Sequence, residues 1–441
     1  MCIFAFYKNR GFSGQNLVYF CHKREQIILQ NLRFYTFYFI KWSSICILLG
    51  ILAGASSSFF LYTLNLATEF RDSHLGLIFL LPIAGFFIGL LYHYYGKEAN
   101  RGTNLILEEY QKPQKTIPFR VAILVYVGTL LTHLFGGSAG REGTAVQMNT
   151  AIADQFTRAF QLTLSERKTM LIIGISGGFA AVFGTPLTGA VFAIELLYFS
   201  GVGLSSVIPS VVTAYMAYFT VEFIQIPHTK YPTPELPEWQ IQTLLWLILL
   251  GIVFGLTARL FAFCSHFFAT QAKNFIKYPP FRPLVGGIIF AVAIYFTDAT
   301  TYMGLGIPTI LESFAIQQGL WVFLLKLLAT TFILGTGFKG GEVTPLFFVG
   351  ATLGSAMAMF VPLPLAFLAA VGFVAVFAGA THTPFACAIM GVELFGLESG
   401  IYMLIVCLIA YLCSGTRGIY SSQVVQGPKI RWSIFFGKGK S

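Results

Sequence analysis

Long apolar stretches separated by short polar breaks run along most of the chain, from about residue 43 to about residue 413. Only 10% of the 441 residues are charged and 56% are hydrophobic, whereas a soluble protein carries about 25% charged residues. So few charges cannot cover a water-facing surface, which excludes a soluble globular protein. The chain is therefore predicted to be an all-α polytopic membrane protein.

Many of the apolar stretches have the wrong length for one straight span. Crossing a bilayer takes about 20 helical residues, but the stretch 401–413 is shorter than this and 365–395 is longer. Several stretches are also broken by glycine or proline. The pattern indicates helices that stop partway through the membrane, which is tolerated only where the freed backbone is buried in protein or lines a cavity.

Basic side chains are concentrated at the two ends of the chain. Six Lys and Arg residues face a single acid up to Lys41, and five follow Gly415 with no acid. Because basic flanks mark the cytoplasmic side, we expect both termini to be cytoplasmic, an even number of spans and a location in the cell inner (plasma) membrane. Contact with anionic lipid accounts for the net charge of +10 without a nucleic-acid partner. We expect no cleaved signal peptide at the N-terminus.

Residues 227–239 form the one clear linker, with four prolines among thirteen residues. It divides the hydrophobic chain into two halves. The predicted organisation is a basic cytoplasmic segment (1–41), a first transmembrane repeat (42–226), the proline-rich linker (227–239), a second transmembrane repeat (240–416) and a basic cytoplasmic tail (417–441).

The two halves carry matching motifs in the same order. The motif at 140–144 (GREGT) matches 340–344 (GGEVT), and 102–108 matches 306–312. Thr185-Pro186 is followed by Glu195 nine residues after the proline, as Thr383-Pro384 is followed by Glu393. Such internal repeats are typical of transporters built from inverted halves, whose binding site lies near the midplane between them.

A glycine-rich turn precedes a predicted helix in each half, at 136–144 and at 335–345. The N-terminus of a helix presents unpaired N–H groups and the positive end of the helix dipole, and both favour an anion. The alternative is that the glycines only allow helices to pack closely. Glu142 and Glu342 favour the first interpretation, because an ionisable side chain in apolar surroundings is by default a functional candidate.

A carboxylate at a helix N-terminus can itself occupy an anion site, and protonation would release it. Glu142 could in this way couple the movement of one proton to that of one anion. Two structural alternatives stay open: each glutamate only caps its own helix, or Glu142 pairs with Arg141. Glu195 and Glu393 are as well explained as structural hydrogen-bond partners as they are as proton carriers.

Other residues with reactive side chains carry weaker signals. His133 and His382 lie in apolar stretches without acids at ligand spacing, so we interpret them as satisfied core histidines. By composition alone, Tyr420 is typical of a tyrosine at the membrane interface. The seven cysteines are far apart and show neither a disulfide framework nor a zinc pattern, so we expect no metal and no cofactor.

Together these motifs resemble the CLC family of anion channels and anion/proton antiporters over residues 42–425. The resemblance implies two inverted repeats of interrupted, tilted helices, with Glu142 as the external gating glutamate that couples protons. It further implies that Tyr420 is the central tyrosine and that the backbone N–H groups of Val343 and Thr344 line the anion site. The anion-binding residues implied on this basis are Gly140, Arg141, Gly143, Thr144, Gly341, Glu342, Val343, Thr344 and Tyr420.

Three departures from the family's usual pattern are similar to its fluoride-exporting branch, CLC-F. The serine of the family's GSGIP motif is missing from 101–105, where Thr103 or Asn104 stands nearest to the anion. Thr144 replaces a proline, and the acidic Glu342 lies beside the site. A fourth departure falls at Leu196, which occupies the place of the family's internal proton-transfer glutamate and cannot carry a proton.

The resulting hypothesis is a homodimeric exporter that exchanges fluoride for protons, with a separate pathway in each subunit. A protonated Glu342 would donate a strong hydrogen bond to a small, hard anion. The nearest alternative is a chloride channel or chloride/proton antiporter of the same family. An intramembrane enzyme using Glu142 and Glu342 as acid and base lacks a second catalytic group nearby, and a structural scaffold would leave the paired glutamates unexplained.

Overall fold

The computed structural model describes residues 14–297, 299–425 and 429. The basic residues Lys8, Arg10, Arg431, Lys438 and Lys440, on which the orientation prediction partly rests, lie outside the described residues. Sixteen α-helices occur within the described part of the chain. They are α1 (Gly14–Ser73), α2 (Leu81–Tyr95), α3 (Thr103–Gln111), α4 (Arg120–Leu134), α5 (Glu142–Ala159), α6 (Leu164–Phe183), α7 (Pro186–Leu197), α8 (Val207–Ile224), α9 (Ile241–Phe275), α10 (Phe281–Thr297), α11 (Ile307–Glu312), α12 (Val322–Thr336), α13 (Val343–Ala356), α14 (Leu365–Thr381), α15 (Pro384–Phe395) and α16 (Gly400–Cys413).

The helices after the linker repeat the order and approximate lengths of those before it. Helices α4 and α12 have 15 residues each, and α7 and α15 have 12 each. The linker at 227–239 contains neither helix nor strand. These features confirm the all-α fold with two repeats. Helix α1 runs unbroken past residue 41, so the boundary between the basic segment and the first repeat lies inside a helix.

Both full-length and partial spans occur, as the interrupted apolar stretches predict. Within the described residues, four helices are long and apolar enough to cross a membrane: Tyr38–Ser73 within α1, Leu75–Tyr95, which includes α2, Val207–Ile224 and Ile241–Phe275. Eight further apolar helices of the described residues have only 10–17 residues. Short helices of this kind leave their ends inside the protein, where unpaired backbone groups can meet a ligand.

Two of the overlong apolar stretches, 168–199 and 365–395, are each two helices joined by a sharp turn. Helix α6 ends at Gly184, which adopts the left-handed conformation with φ of +75°, and α7 begins at Pro186. In the second half His382 takes the same conformation with φ of +58°, and α15 begins at Pro384. Proline suits the first turn of a helix because its missing N–H would be unpaired there anyway. The prolines therefore locate both breaks.

The core lies where the two repeats meet. Phe347 of α13 stacks on Phe373 of α14 with 4.1 Å between ring centroids, and Phe179 of α6 stacks on Phe377 of α14 at 6.4 Å. A Cβ at Gly354 would collide with the carbonyl oxygen of Leu368, so α13 and α14 pack almost backbone to backbone. This close packing holds α13 against α14.

Candidate anion site

The two glycine-rich motifs meet in the folded chain through a pair of backbone hydrogen bonds. The Gly140 N–H donates to the Gly341 carbonyl at 2.6 Å, and the Gly341 N–H donates to the Gly140 carbonyl at 2.7 Å. A Cβ at Gly140 would lie 2.8 Å from the Pro345 Cδ, and one at Gly341 would lie 2.8 Å from the Gly143 nitrogen. Close packing thus requires these glycines, and it brings the N-termini of α5 and α13 side by side.

The carboxylate of Glu142 crosses from its own helix to the other repeat. Although Glu142 begins α5, its carboxylate accepts a hydrogen bond from the Thr344 backbone N–H at 3.1 Å and from the Thr344 hydroxyl at 2.7 Å. The side chain is 98% buried, with 2% exposed. A negative group therefore already occupies the N-terminus of α13, which is the kind of place that favours an anion.

Arg141 also contributes to the surroundings of Glu142. The Arg141 backbone N–H donates to the carboxylate at 3.2 Å, and the Arg141 Nε lies 3.6 Å from Glu142 Oε1. The pair between Glu142 and Arg141 is thus present in the structure, but its distance is longer than those of the hydrogen bonds to Thr344. Glu142 caps the helix of the other repeat, not its own.

Glu342 occupies the equivalent position but behaves differently. Its backbone is the N-cap of α13, yet its side chain makes no capping hydrogen bond. Instead, the Ser265 hydroxyl donates to Glu342 Oε1 at 3.3 Å, and the side chain lines a cavity. The alternative that Glu342 only caps its helix is therefore wrong.

This cavity has a volume of about 170 Å³. Seven of the residues predicted for the anion site line it: Thr103, Asn104, Gly143, Thr144, Gly341, Glu342 and Tyr420. The remaining five, Gly140, Arg141, Glu142, Val343 and Thr344, lie outside its lining, at or beside the contact between the two helix ends. The predicted residues thus form two adjoining groups, one open to the cavity and one buried around the Glu142 carboxylate.

The polar residues of the cavity are held by neighbouring elements. The Asn104 Oδ1 accepts from the Ser422 backbone N–H at 2.9 Å, which ties α3 to the segment after α16. The Thr144 and Thr129 hydroxyls bond each other at 2.7 Å. Tyr420 is only 8% exposed and lines the cavity, so the interface interpretation of this tyrosine is wrong.

Several residues of the cavity were not predicted from the sequence. Lys339, Asn100, Tyr92 and Gln147 also line it. Lys339 carried a usable signal, because it is a charged residue inside the second glycine-rich motif and the argument applied to Glu342 holds for it as well. Asn100 and Gln147 carry no comparable signal, since polar residues of this type are common at helix ends and surfaces.

Glu195 and Glu393 cap each other's helices. Glu195 accepts from the backbone N–H groups of Phe385 at 3.1 Å and Ala386 at 2.7 Å, at the start of α15. Glu393 accepts from those of Leu187 at 2.9 Å and Thr188 at 2.8 Å, at the start of α7. This reciprocal arrangement supports the structural explanation of both residues and shows that α7 and α15 run antiparallel.

The two buried histidines are core residues, but only one has a polar contact. The His133 Nε2 lies 3.4 Å from the Gly140 carbonyl oxygen, while neither ring nitrogen of His382 has a hydrogen-bond partner among the described residues. The prediction of a satisfied histidine is therefore wrong for His382. Within the described ranges no group of His, Cys, Asp or Glu side chains could hold a metal ion.

Comparison with known proteins relates this geometry to a family. The family model described as voltage gated chloride channel matches residues 84–415. The chain is 46% identical to the chloride/fluoride channel protein of Pseudomonas syringae pv. tomato over 394 residues, which is 88% of this chain and 87% of the relative. The crystal structure of a CLC-type fluoride/proton antiporter aligns with a TM-score of 0.85 at 35% identity, covering 88% of this chain and 99% of the other. A slow cyanobacterial Cl⁻/H⁺ antiporter shares the fold, with a TM-score of 0.76 at 17% identity over 90% of this chain and 98% of the other.

Proposed function

Because the chain belongs to the voltage-gated chloride channel (CLC) family of membrane anion transporters, we propose that it exports fluoride in exchange for protons. The family excludes the enzyme and scaffold alternatives and makes the chain a multi-pass membrane protein. Two similar proteins support the finer assignment, one named as a chloride/fluoride channel and one as a fluoride/proton antiporter.

The observation that carries the proposal is the Glu142 carboxylate on the N-terminus of α13. It accepts both the backbone N–H and the hydroxyl of Thr344, donors that a transported anion would also need. The carboxylate and the anion therefore compete for one positive helix end. Protonation of Glu142 removes its charge and weakens its hold, so an anion replaces it, and one proton is exchanged for one anion.

Glu342 supplies the selectivity in this proposal. Fluoride loses more on dehydration than chloride does, so a fluoride site must offer short, strong hydrogen bonds. A protonated Glu342 beside the helix ends would be such a donor, whereas its ionised form would repel an anion. Thr103, Asn104 and Tyr420 line the same cavity and would complete the path between Glu342 and the solvent.

We further propose that both termini are cytoplasmic and that the protein is a homodimer with a separate pathway in each subunit. The basic residues at both ends support the orientation. The proposed repeats remain 42–226 and 240–416, flanked by basic segments, because the matching helices begin again after the linker at 227–239.

The test is a direct comparison of the two anions. Liposomes containing the purified protein and loaded with equal fluoride and chloride should release fluoride at least about tenfold faster, since one additional charged hydrogen bond is worth about 1.5–3 kcal/mol. Ion-selective electrodes follow both anions, and protein-free liposomes give the leak. Equal release, or faster release of chloride, would replace the fluoride assignment with the chloride alternative and leave the family unchanged.

A further inference from the structure

A lysine that the proposed exchange does not use is held in the cavity. Lys339 lies between α12 and α13, where its backbone N–H donates to the Thr132 hydroxyl at 3.3 Å. Its Nζ donates to the Asn100 Oδ1 at 3.0 Å and lies 4.2 Å from the centroid of the Tyr92 ring. Lys339, Asn100 and Tyr92 all line the cavity that contains Glu342.

The aliphatic part of the Lys339 side chain packs against helix α4 at Gly128. A Cβ on Gly128 of α4 would lie 2.9 Å from the Lys339 Cβ and 3.0 Å from its Cγ. Only glycine at this position lets the aliphatic part of the lysine lie along α4. Three contacts together hold the ammonium group in one place: the backbone hydrogen bond to Thr132, the packing against Gly128 and the contact with Tyr92.

No carboxylate neutralises this ammonium group within the described residues. The ion pairs found among them do not include Lys339, and its hydrogen-bond acceptor Asn100 is neutral. Among the described residues that line the cavity, Glu342 is the one acid, and the other cation, Arg101, is paired with Glu108 at 2.9 Å. Lys339 is half-buried, so its charge is only partly solvated and an anion is a favourable neighbour for it.

The cavity offers a second free donor next to the lysine. The Tyr92 hydroxyl is buried, with the residue 2% exposed, and has no hydrogen-bond partner among the described residues. Buried hydroxyls are nearly always partnered. An ammonium group has three N–H donors, of which Asn100 takes one. Two ammonium donors and one phenol thus point to an acceptor-only species, which is a small anion.

We propose that Lys339 and Tyr92 form an anion-capture site at the entrance of the cavity. Asn100 and Arg101, which line the same cavity, are exposed to solvent, whereas Thr144 and Gly341 are buried. The ammonium group is tied to Asn100 and therefore lies at the solvent end. An anion bound there would pass inward to the ends of α5 and α13. The inference rests on the proposed function only in taking that anion to be fluoride.

The experiment is a titration of initial efflux rate against fluoride concentration in proteoliposomes. Lys339→Met keeps the side chain along Gly128 but removes the charge, and we expect the half-saturating fluoride concentration to rise about tenfold while the maximal rate changes little. Lys339→Arg should retain most of the affinity for fluoride. Tyr92→Phe should raise the half-saturating fluoride concentration about threefold, as expected for the loss of a neutral donor. Raising the ionic strength should weaken capture in the wild type more than in Lys339→Met.

Lys97→Met is the matched control, because Lys97 is exposed nearby but does not line the cavity. An unchanged half-saturating concentration in Lys339→Met, or a loss confined to the maximal rate, would overturn the capture site while fluoride transport by the wild type still supports the proposed function. If the wild type carries chloride and no fluoride, the proposed function fails, and the same titration with chloride decides on Lys339.

Discussion

Two pairs of glutamates occupy equivalent positions in the two repeats. The members of one pair make equivalent contacts, and the members of the other pair do not. Glu195 and Glu393 are symmetric, since each accepts two backbone N–H groups from the first turn of the other's helix. Glu142 and Glu342 are not. Glu142 reaches the N-terminus of α13, whereas Glu342 bonds Ser265 of α9 and faces the cavity.

The difference separates the scaffold from the proposed transport site. A symmetric pair of caps stabilises the interface between the repeats and gives no direction to transport. The asymmetric pair gives the site two unlike ends, one closed by Glu142 and one open to the cavity. The threonines reflect the same asymmetry, because the Thr344 hydroxyl donates to Glu142 while the Thr144 hydroxyl is engaged with Thr129.

The largest effect is expected from Glu142→Gln. The amide resembles the protonated acid and cannot titrate, so proton movement driven by a fluoride gradient should fall to the level of protein-free liposomes. A pH electrode and a fluoride electrode in the same vesicle suspension measure the two fluxes. Glu398→Gln, at an exposed position, is the control. Undiminished proton movement in Glu142→Gln would show that another group couples the ions.

Glu342→Ala should slow fluoride transport by about tenfold or more, as expected for the loss of a hydrogen bond to a charged partner. Glu342→Gln keeps an N–H donor and should retain more activity than the alanine variant. The initial efflux rate per protein is the measurement. Wild-type rates in both variants would mean that Glu342 plays no part in the anion site and that the asymmetry of the pair is incidental.

Separate substitutions of Thr344 and Thr144 test the same asymmetry, with a smaller expected effect on transport. Thr344→Val removes a hydroxyl bonded to the Glu142 carboxylate, so we expect the fluoride flux or its coupling to protons to change about fivefold or more. Thr144→Val removes only a bond between two hydroxyls and should change both by less than about threefold. Equal effects of the two variants on coupled flux would contradict the asymmetric assignment.

The smallest effect on transport is expected at the symmetric pair. Glu195→Ala and Glu393→Ala should each lower the stability of the folded protein by about 1 kcal/mol, the usual cost of losing a helix cap, and by similar amounts. Thermal unfolding in detergent measures the stability, and the proton-to-fluoride ratio should stay at the wild-type value. Loss of coupling in Glu195→Ala alone would make this glutamate part of the proton path.

The sequence by itself determined the class of protein and the segments of the chain that form the candidate site. Three features carry this information through local chemistry: the scarcity of charge, the matched motifs at 140–144 and 340–344, and prolines such as Pro186. They set which segments tolerate water and where a helix can begin. Such rules need no knowledge of the partner segment. The same rules singled out both glutamates and seven of the twenty residues that line the cavity.

Only the tertiary structure decided where each side chain goes. Glu142 and Glu342 have similar sequence surroundings, yet which one meets the Thr344 backbone depends on how the two helix ends dock through Gly140 and Gly341. Likewise, Lys339 lines the cavity only because Gly128 and Tyr92, both far away in the chain, leave room for its side chain and contact its ammonium group. A repeat predicts symmetry, which Glu195 and Glu393 retain, but packing gives Glu142 and Glu342 different neighbours, and those neighbours decide which contacts each side chain makes.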